Sequence, residues 1–405
     1  METGNNKRLP RTVVVVGLVS FFNDLASEMV TPLIPIVLAT VMGAGPLALG
    51  AIEGIADSVS AFIKLWSGRH SDWLGGRRKW LTFYGYLLSN IVRPFFGLAT
   101  SWGLLVGLRS VDRIGKGIRT APRDALVADA TPPEIRGYAY GYHRAMDNGG
   151  AMGGALIAAA VLTWTQFSLQ QVILWSVIPG IMVILLVAFG IQEPVKKLAV
   201  ADRVALPPLR FGLLSKPMRK YLAVLALFTF ARASETFIVL RGHEMGKSVV
   251  ELLLLWAALS FAKSITSLYG GKLADKLGME RLVLTGWTFH ACSFALLATV
   301  SLGVNLWFAA IVYGLLAGLA EGGERGLISA FAKEKERGTA FGWYNMTLGI
   351  ASIPAGLSFG AIWKFFGPGA AFVVAAIIAA CAALLLHFWV WRDARAESSS
   401  FTQSP

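Results

Sequence analysis

Charged residues are scarce in this chain. They make up 15% of its 405 residues, against roughly a quarter in a water-soluble domain, which excludes an ordinary soluble globule. Cysteine is nearly absent: Cys292 and Cys381 each sit inside an apolar stretch. No metal-ligand or redox spacing exists, and two small buried residues is the plain reading. A phosphate-binding loop is missing too. Ile114-Gly115-Lys116-Gly117 comes nearest, but position 110 is Ser rather than Gly, and Gly117 stands where Ser or Thr is needed. With no catalytic constellation, the chain reads as a non-enzyme without cofactor or metal, and an ion gradient is the expected energy source.

What is abundant is apolar surface. Hydrophobic residues are 55% of the chain, with 13 Trp and 24 Phe, and the mean hydropathy is +0.59. A membrane span needs about 20 mostly apolar residues; Val172–Ile191 and Phe372–Val390 meet this easily. Spans are expected near 12–40, 46–70, 79–100, 102–129, 137–163 and 170–192, then near 217–240, 248–272, 280–300, 305–331, 337–363 and 369–391. The first run is too long, and carries too many charges, for a cleaved signal peptide. Between the two sets lies a polar stretch with Pro194, Pro207 and Pro208. The expected division is 1–192, a linker 193–216, and 217–405.

The net charge of +13 raises nucleic acid as a partner, and its placement excludes that. The basic residues gather in alternate connections: Lys7, Arg8 and Arg11; Arg77, Arg78 and Lys79; Arg136; Lys196, Lys197 and Arg203; Lys276 and Arg281; Lys333, Lys335 and Arg337; Arg392 and Arg395. The opposite connections carry almost none; Arg241–Lys247 is the exception. By the positive-inside rule both termini face the cytoplasm of an inner membrane.

The two sets of spans are repeats. Arg136-Gly137-Tyr138-Ala139-Tyr140-Gly141 returns as Arg337-Gly338-Thr339-Ala340-Phe341-Gly342, and Gly68-Arg69-His70-Ser71-Asp72 returns as Gly271-Lys272-Leu273-Ala274-Asp275. Ala26-Ser27-Glu28 in the first span returns as Ala233-Ser234-Glu235 in the seventh. Duplicated halves around a midplane site are an architecture of secondary transporters.

The segment Gly68–Lys79, with its weaker copy Gly271–Gly278, resembles the signature that the major facilitator superfamily carries between spans two and three, although Trp73 and Gly76 depart from its usual form. Arg109, Gly115 and Gly117 resemble that family's span-four motif. The resemblance covers essentially the whole chain. It implies an all-α membrane protein with twelve transmembrane helices in two pseudo-symmetric six-helix bundles, whose spans one, four, seven and ten line a central cavity. The run Gly149-Gly150-Ala151-Met152-Gly153-Gly154 resembles the fifth-span motif of the family's proton-coupled exporters, with Gly154 where a proline is usual.

Arg109, Asp112, Lys116, Arg119 and Arg123 are spaced to form one polar stripe on span four. Charges at mid-membrane cost from about 2.5 kcal/mol each and face a cavity or a partner. Arg109, Asp112, Lys116 and Arg119 are read as part of the solute path, with structural pairing as the alternative. Asp24 and Glu28 share a face of span one; they repel each other, so they are candidate proton carriers, or fixed partners of Arg113 or Arg119. Arg232, Glu235 and Glu321 complete the expected pathway, with Phe21, Phe22, Trp343 and Tyr344 closing over the solute. The resemblance assigns Asp72 and Arg77, with Asp129, to a conformational latch. Arg123-Asp124 matches Glu324-Arg325 with its signs reversed, and these are expected to form a gate across the pseudo-twofold axis. Glu53, Asp57 and Lys64 share a face of span two, toward the cavity rim or one another.

The chain is thus expected to be a monomeric secondary transporter in membrane lipid that exports a small organic solute of anionic character in exchange for protons. Efflux of a cationic drug or divalent metal is the alternative, and a non-transporting membrane receptor a more distant one.

Overall fold

The computed structural model describes residues 9–73, 78–132, 136–191, 210–232, 234–277, 279–320, 324, 328 and 337–391. Among them the chain is helical throughout, with no strand. The first half holds α1 (Arg11–Glu28), α2 (Ile34–Thr40), α3 (Pro46–Trp73), α4 (Lys79–Val92), α5 (Trp102–Ala130), α6 (Arg136–Trp164), α7 (Leu169–Trp175) and α8 (Val177–Leu185). The second half holds α9 (Lys216–Ala231), α10 (Thr236–Glu244), α11 (Val249–Leu277), α12 (Met279–Thr299), α13 (Leu306–Ala320) and α14 (Arg337–Leu385). α14 is two helices in one run: Gly367, at φ 87°, breaks it, and Pro368 starts the second.

Helical stretches fall on every segment expected to span. Eight of them are long and apolar enough to cross a membrane. α5 misses that standard because of its charges; α4 has 14 residues and α13 has 15. Large apolar side chains point outward all round, among them Trp164, Phe189, Ile350, Phe388 and Leu384, as expected where the surrounding medium is hydrocarbon.

Among the described residues the sixth span is interrupted at Ser176, between α7 and α8, and two further spans are discontinuous and are repeat partners. α1 stops at Glu28 and resumes as α2 through a short 3-10 turn, Thr31–Leu33, because Pro32 and Pro35 lack the donors a continuous helix needs. α9 stops at Ala231, where Arg232 leaves the helical region (φ −83°, ψ 72°), and α10 begins at Thr236. His290 Nε2 donates to the freed carbonyl of Ala231 at 3.0 Å. The repeated Ser-Glu pairs, Ser27-Glu28 and Ser234-Glu235, therefore sit at or beside breaks in their helices.

The halves meet along two seams, α3 against α14 and α6 against α11. The repeat exchanges span two with eight and span five with eleven, so each seam is the image of the other. On the first, backbones touch: a methyl group at Gly50 would fall on the carbonyl oxygen of Gly356, and one at Gly54 would lie 2.7 Å from that of Ser352. The glycine run of α6 serves a different contact. Gly150 and Gly154 press on the backbone of α1 at Phe21 and Leu25.

The buried apolar residues form three clusters, and their membership fixes the shape. One joins both halves, from Met29, Ile34 and Leu49 to Phe237, Trp256, Phe359 and Phe372. It lies on the side of the turns at Gly43 and Gly246, both at positive φ. On the side of the chain ends each half has its own core: Val13, Leu126 and Val187 in the first, Met218, Trp287 and Leu386 in the second. The molecule is sealed on the far side and parted on the side of its termini.

Candidate functional site

A cavity of about 230 Å³ lies between the halves against this seal. The first half contributes Glu53, Asp57, Ser60, Lys64 and Lys116; the second contributes Thr229, Arg232, Ser234, Asn345 and Ser352, with Phe237 and Phe359 as its aromatic walls.

The charges of α5 do not all face this cavity. At 100° per residue the stripe spans an arc of roughly 80°, and it straddles the seam between α3 and α4. On the α3 edge, Arg109 Nη2 meets Glu53 Oε1 at 3.1 Å and Arg113 Nη2 lies 4.0 Å from Glu53 Oε2. On the α4 edge, Asp112 is held by Arg93 Nε at 3.2 Å, both side chains 3% exposed, and Arg93 also donates to the Asn23 carbonyl at 3.0 Å. Arg119 donates to Ser89 Oγ and lies 4.7 Å over the Tyr86 ring. Asp112 and Arg119 are thus built into the wall of the first half, where the sequence pattern placed them in the solute path. Lys116 differs from all of them: it lines the cavity, half-buried, and its ammonium is within hydrogen-bond or ion-pair distance of no described residue, although it feels the charges of Asp24 and Glu28 on span one.

Asp24 and Glu28 have neutral partners. Asn23 Nδ2 donates to Asp24 Oδ1 at 2.8 Å, and Trp256 Nε1 of α11 donates to Glu28 Oε2 at 3.0 Å. Neither carboxylate has a cation within ion-pair distance among the described residues. The expected alternative, a fixed pair with Arg113 or Arg119, is not formed, since Arg113 faces Glu53 and Arg119 faces Ser89. Glu235, the repeat partner of Glu28, does have a cation: Lys263 Nζ at 2.8 Å, with the Tyr313 hydroxyl at 3.0 Å.

Two contacts bridge the halves at the seal and mirror each other. The Ser234 hydroxyl of span seven reaches Glu53 of span two at 3.5 Å, and Trp256 of span eight reaches Glu28 of span one. At the separation set by Gly68 and Gly271, Trp256 is the repeat position of Glu53.

The expected gate pairs lie within the halves rather than across the axis. Arg123 Nη2 meets Asp124 Oδ1 at 2.9 Å. Arg232 Nη2 meets Glu324 Oε1 at 2.7 Å, and Glu324 also accepts from Trp287 and Tyr344. Asp129 is held by Arg78 Nη1 at 3.1 Å; Arg78 immediately precedes α4 and faces the end of α5. Arg77, Glu321 and Arg325 lie outside the described residues, as does the side chain of Asp72.

The four aromatics expected to close over a solute are packing elements. Phe21 lies against Gly149 and Gly150, with Phe22 edge-on to it at 5.4 Å. Trp343 packs on Phe211, and Tyr344 serves Glu324. Arg93, Glu53, Trp256 and Lys263 carry much of the network instead. The signal for Lys263 was a lone charge inside an apolar run; Arg93 was hidden beside Pro94 at the end of a span.

The family model of the Major Facilitator Superfamily matches residues 16–356 and, separately, 222–403. The chain belongs to this superfamily and is a multi-pass membrane transporter. It is 28% identical over 391 residues to an uncharacterized MFS-type transporter of Methanocaldococcus jannaschii, covering 95% of this chain and 96% of that one. Its fold is shared with the nucleoside transporter NupG (TM-score 0.74, 14% identity, 93% of this chain and 99% of that one). A human organic anion transporter has it too (TM-score 0.65, 18% identity, the same shares covered).

Proposed function

We propose that the protein is a secondary active transporter that exports a small organic solute of anionic character in exchange for protons, by alternating access. Lys116 carries this reading. Its neighbours Arg109, Asp112, Arg119 and Arg123 all have contact partners in the protein, while the Lys116 ammonium faces the cavity with no contact partner among the described residues, only the more distant Asp24 and Glu28. A charge at that depth is costly without a counterpart, and a solute anion supplies one. The cavity is smaller than the ~300–1,000 Å³ of drug-sized pockets, which favours a small solute. Positive-inside placement of the basic connections turns the parted side toward the cytoplasm, the loading side of an exporter, and the glycine run of α6 agrees.

The proton path is assigned to Asp24 and Glu28, carboxylates one turn before the end of α1 and at its end, with neutral donors and no cation at ion-pair distance among the described residues. Glu235, held by Lys263, is the less suited of the repeated pair. Arg109, Arg232 and Glu321 remain in the solute path; Asp72, Arg77 and Asp129 are kept as the latch, with Arg78 added, and Arg123, Asp124, Glu324 and Arg325 as the gate.

The test uses inside-out vesicles with an acid interior. Labelled organic anions are expected to accumulate and to discharge the gradient, and Lys116→Gln to stop both. Asp24→Asn and Glu28→Gln are expected to abolish pH-driven accumulation while sparing counterflow without a gradient. Wild-type pH-driven transport in both variants would remove span one from the proton path.

A further inference from the structure

We propose that this cavity takes a small amphoteric solute, carrying an acidic group and an ammonium group together. The inference rests on the reading of an anionic solute and narrows it. Its second leg is Asp57. This carboxylate is exposed and lines the same cavity as Lys116; its side chain makes no hydrogen bond or ion pair with a described residue, and Arg113, a cation whose charge acts on it, is shared with Glu53.

The register of α3 on α5 fixes how the two charges stand. A methyl group at Gly117 would lie 3.0 Å from the carbonyl oxygen of Ser60, so Lys116 stands at the level of Ser60. Asp57 is three residues nearer the seal, about 4.5 Å along the helix axis. The two do not pair across that gap. The deeper and opposite charges are matched already, Glu53 by Arg109 and Arg232 by Glu324. Facing Asp57 and Lys116, the second half offers neutral hydrogen-bonding groups, Thr229, Asn345 and Ser352. Recognition of charge is thus concentrated on one wall.

While the cavity stands open, water serves both side chains. When the halves close and water leaves, each charge needs a counterpart. A simple anion answers Lys116 and is repelled by Asp57; a simple cation does the reverse. A solute with a carboxylate and an ammonium a few ångströms apart answers both at once.

The experiment compares three solutes of one carbon skeleton, 4-aminobutyrate, sodium butyrate and butylammonium chloride, by thermal shift of the purified full-length protein, with sodium chloride as control. 4-Aminobutyrate is expected to bind about tenfold or more tighter than either of the others, the worth of one charge-assisted contact. Asp57→Asn is expected to erase its advantage over butyrate, weakening 4-aminobutyrate by the lost ammonium contact and relieving the repulsion of butyrate. Lys116→Gln is expected to erase its advantage over butylammonium. Equal binding of butyrate and 4-aminobutyrate by the wild type overturns the amphoteric assignment and leaves the anionic one standing. Tightest binding of butylammonium overturns both. Binding of none overturns the assignment of this cavity, and labelled anions still moving in the vesicle assay would keep the anionic transporter.

Discussion

α5 and α13 occupy the same place in their two halves and share almost no chemistry. At the separation set by Arg136 and Arg337, Arg109 becomes Ala310, Asp112 becomes Tyr313, Arg113 becomes Gly314 and Lys116 becomes Ala317. α5 is threaded with charges that its own half neutralises through Glu53 and Arg93. α13 is apolar from Leu306 to Ala320, and Ala310 is fully buried in the shared core. Duplication supplied two copies of one wall. One carries a stripe of charges, while the other supplies packing and a single hydroxyl, Tyr313, to Glu235. A symmetric scaffold does not require a symmetric site.

That contrast can be broken at matched positions. The largest effect is expected for Arg93→Ala, which leaves Asp112 buried without its cation; a loss of about 3–5 kcal/mol follows from breaking a buried pair, read as lost thermal stability of the purified protein. Ala310→Arg comes next. It copies Arg109 into a helix whose neighbouring span offers Trp256 where Glu53 would stand, and an unmatched charge there costs about 2.5–3.5 kcal/mol or more. If the variant accumulates in membranes and melts like the wild type, the halves are less specialised than their sequences suggest. The smallest effect belongs to Tyr313→Phe, the repeat counterpart of Asp112. It removes one hydrogen bond from a carboxylate that keeps Lys263, about 1.5–3 kcal/mol, expected toward the low end because the lysine remains. A loss as large as that of Arg93→Ala would mean that α13 carries charge stabilisation of its own.

The positions of the helices were legible because length and apolarity alone determine a span, and the repeat was legible because short motifs recur in register. Charged residues inside spans were equally plain. Their partners were not. Whether Asp112 faces a cavity or Arg93 depends on which neighbour lies a few tens of degrees around the helix, and periodicity gives a face without its occupant. The aromatics failed for a similar reason: Phe21 is opposite glycines, which offer the space a large ring fills. The breaks at Glu28 and Ala231 were half visible, since Pro32 and Pro35 mark the first and no proline marks the second. Lys116 and Asp57 are both legible in the sequence as intramembrane charges, but only the want of a contact partner among the described residues, a property of the folded chain, separates them from the rest.

The glycine contact between α3 and α14 has a mechanical side. Its mirror seam, α6 against α11, places Ala155 and Leu253 at the positions corresponding to Gly356 and Gly50, both fully buried. One seam is therefore as thin as two backbones allow, and the other is padded by side chains. Side chains can re-pack as two helices slide, whereas backbones already in contact have no slack to give. A rocking transporter built this way swings like a door on its thin edge, with the padded edge travelling, so the path of opening is skewed even though the fold is nearly symmetric.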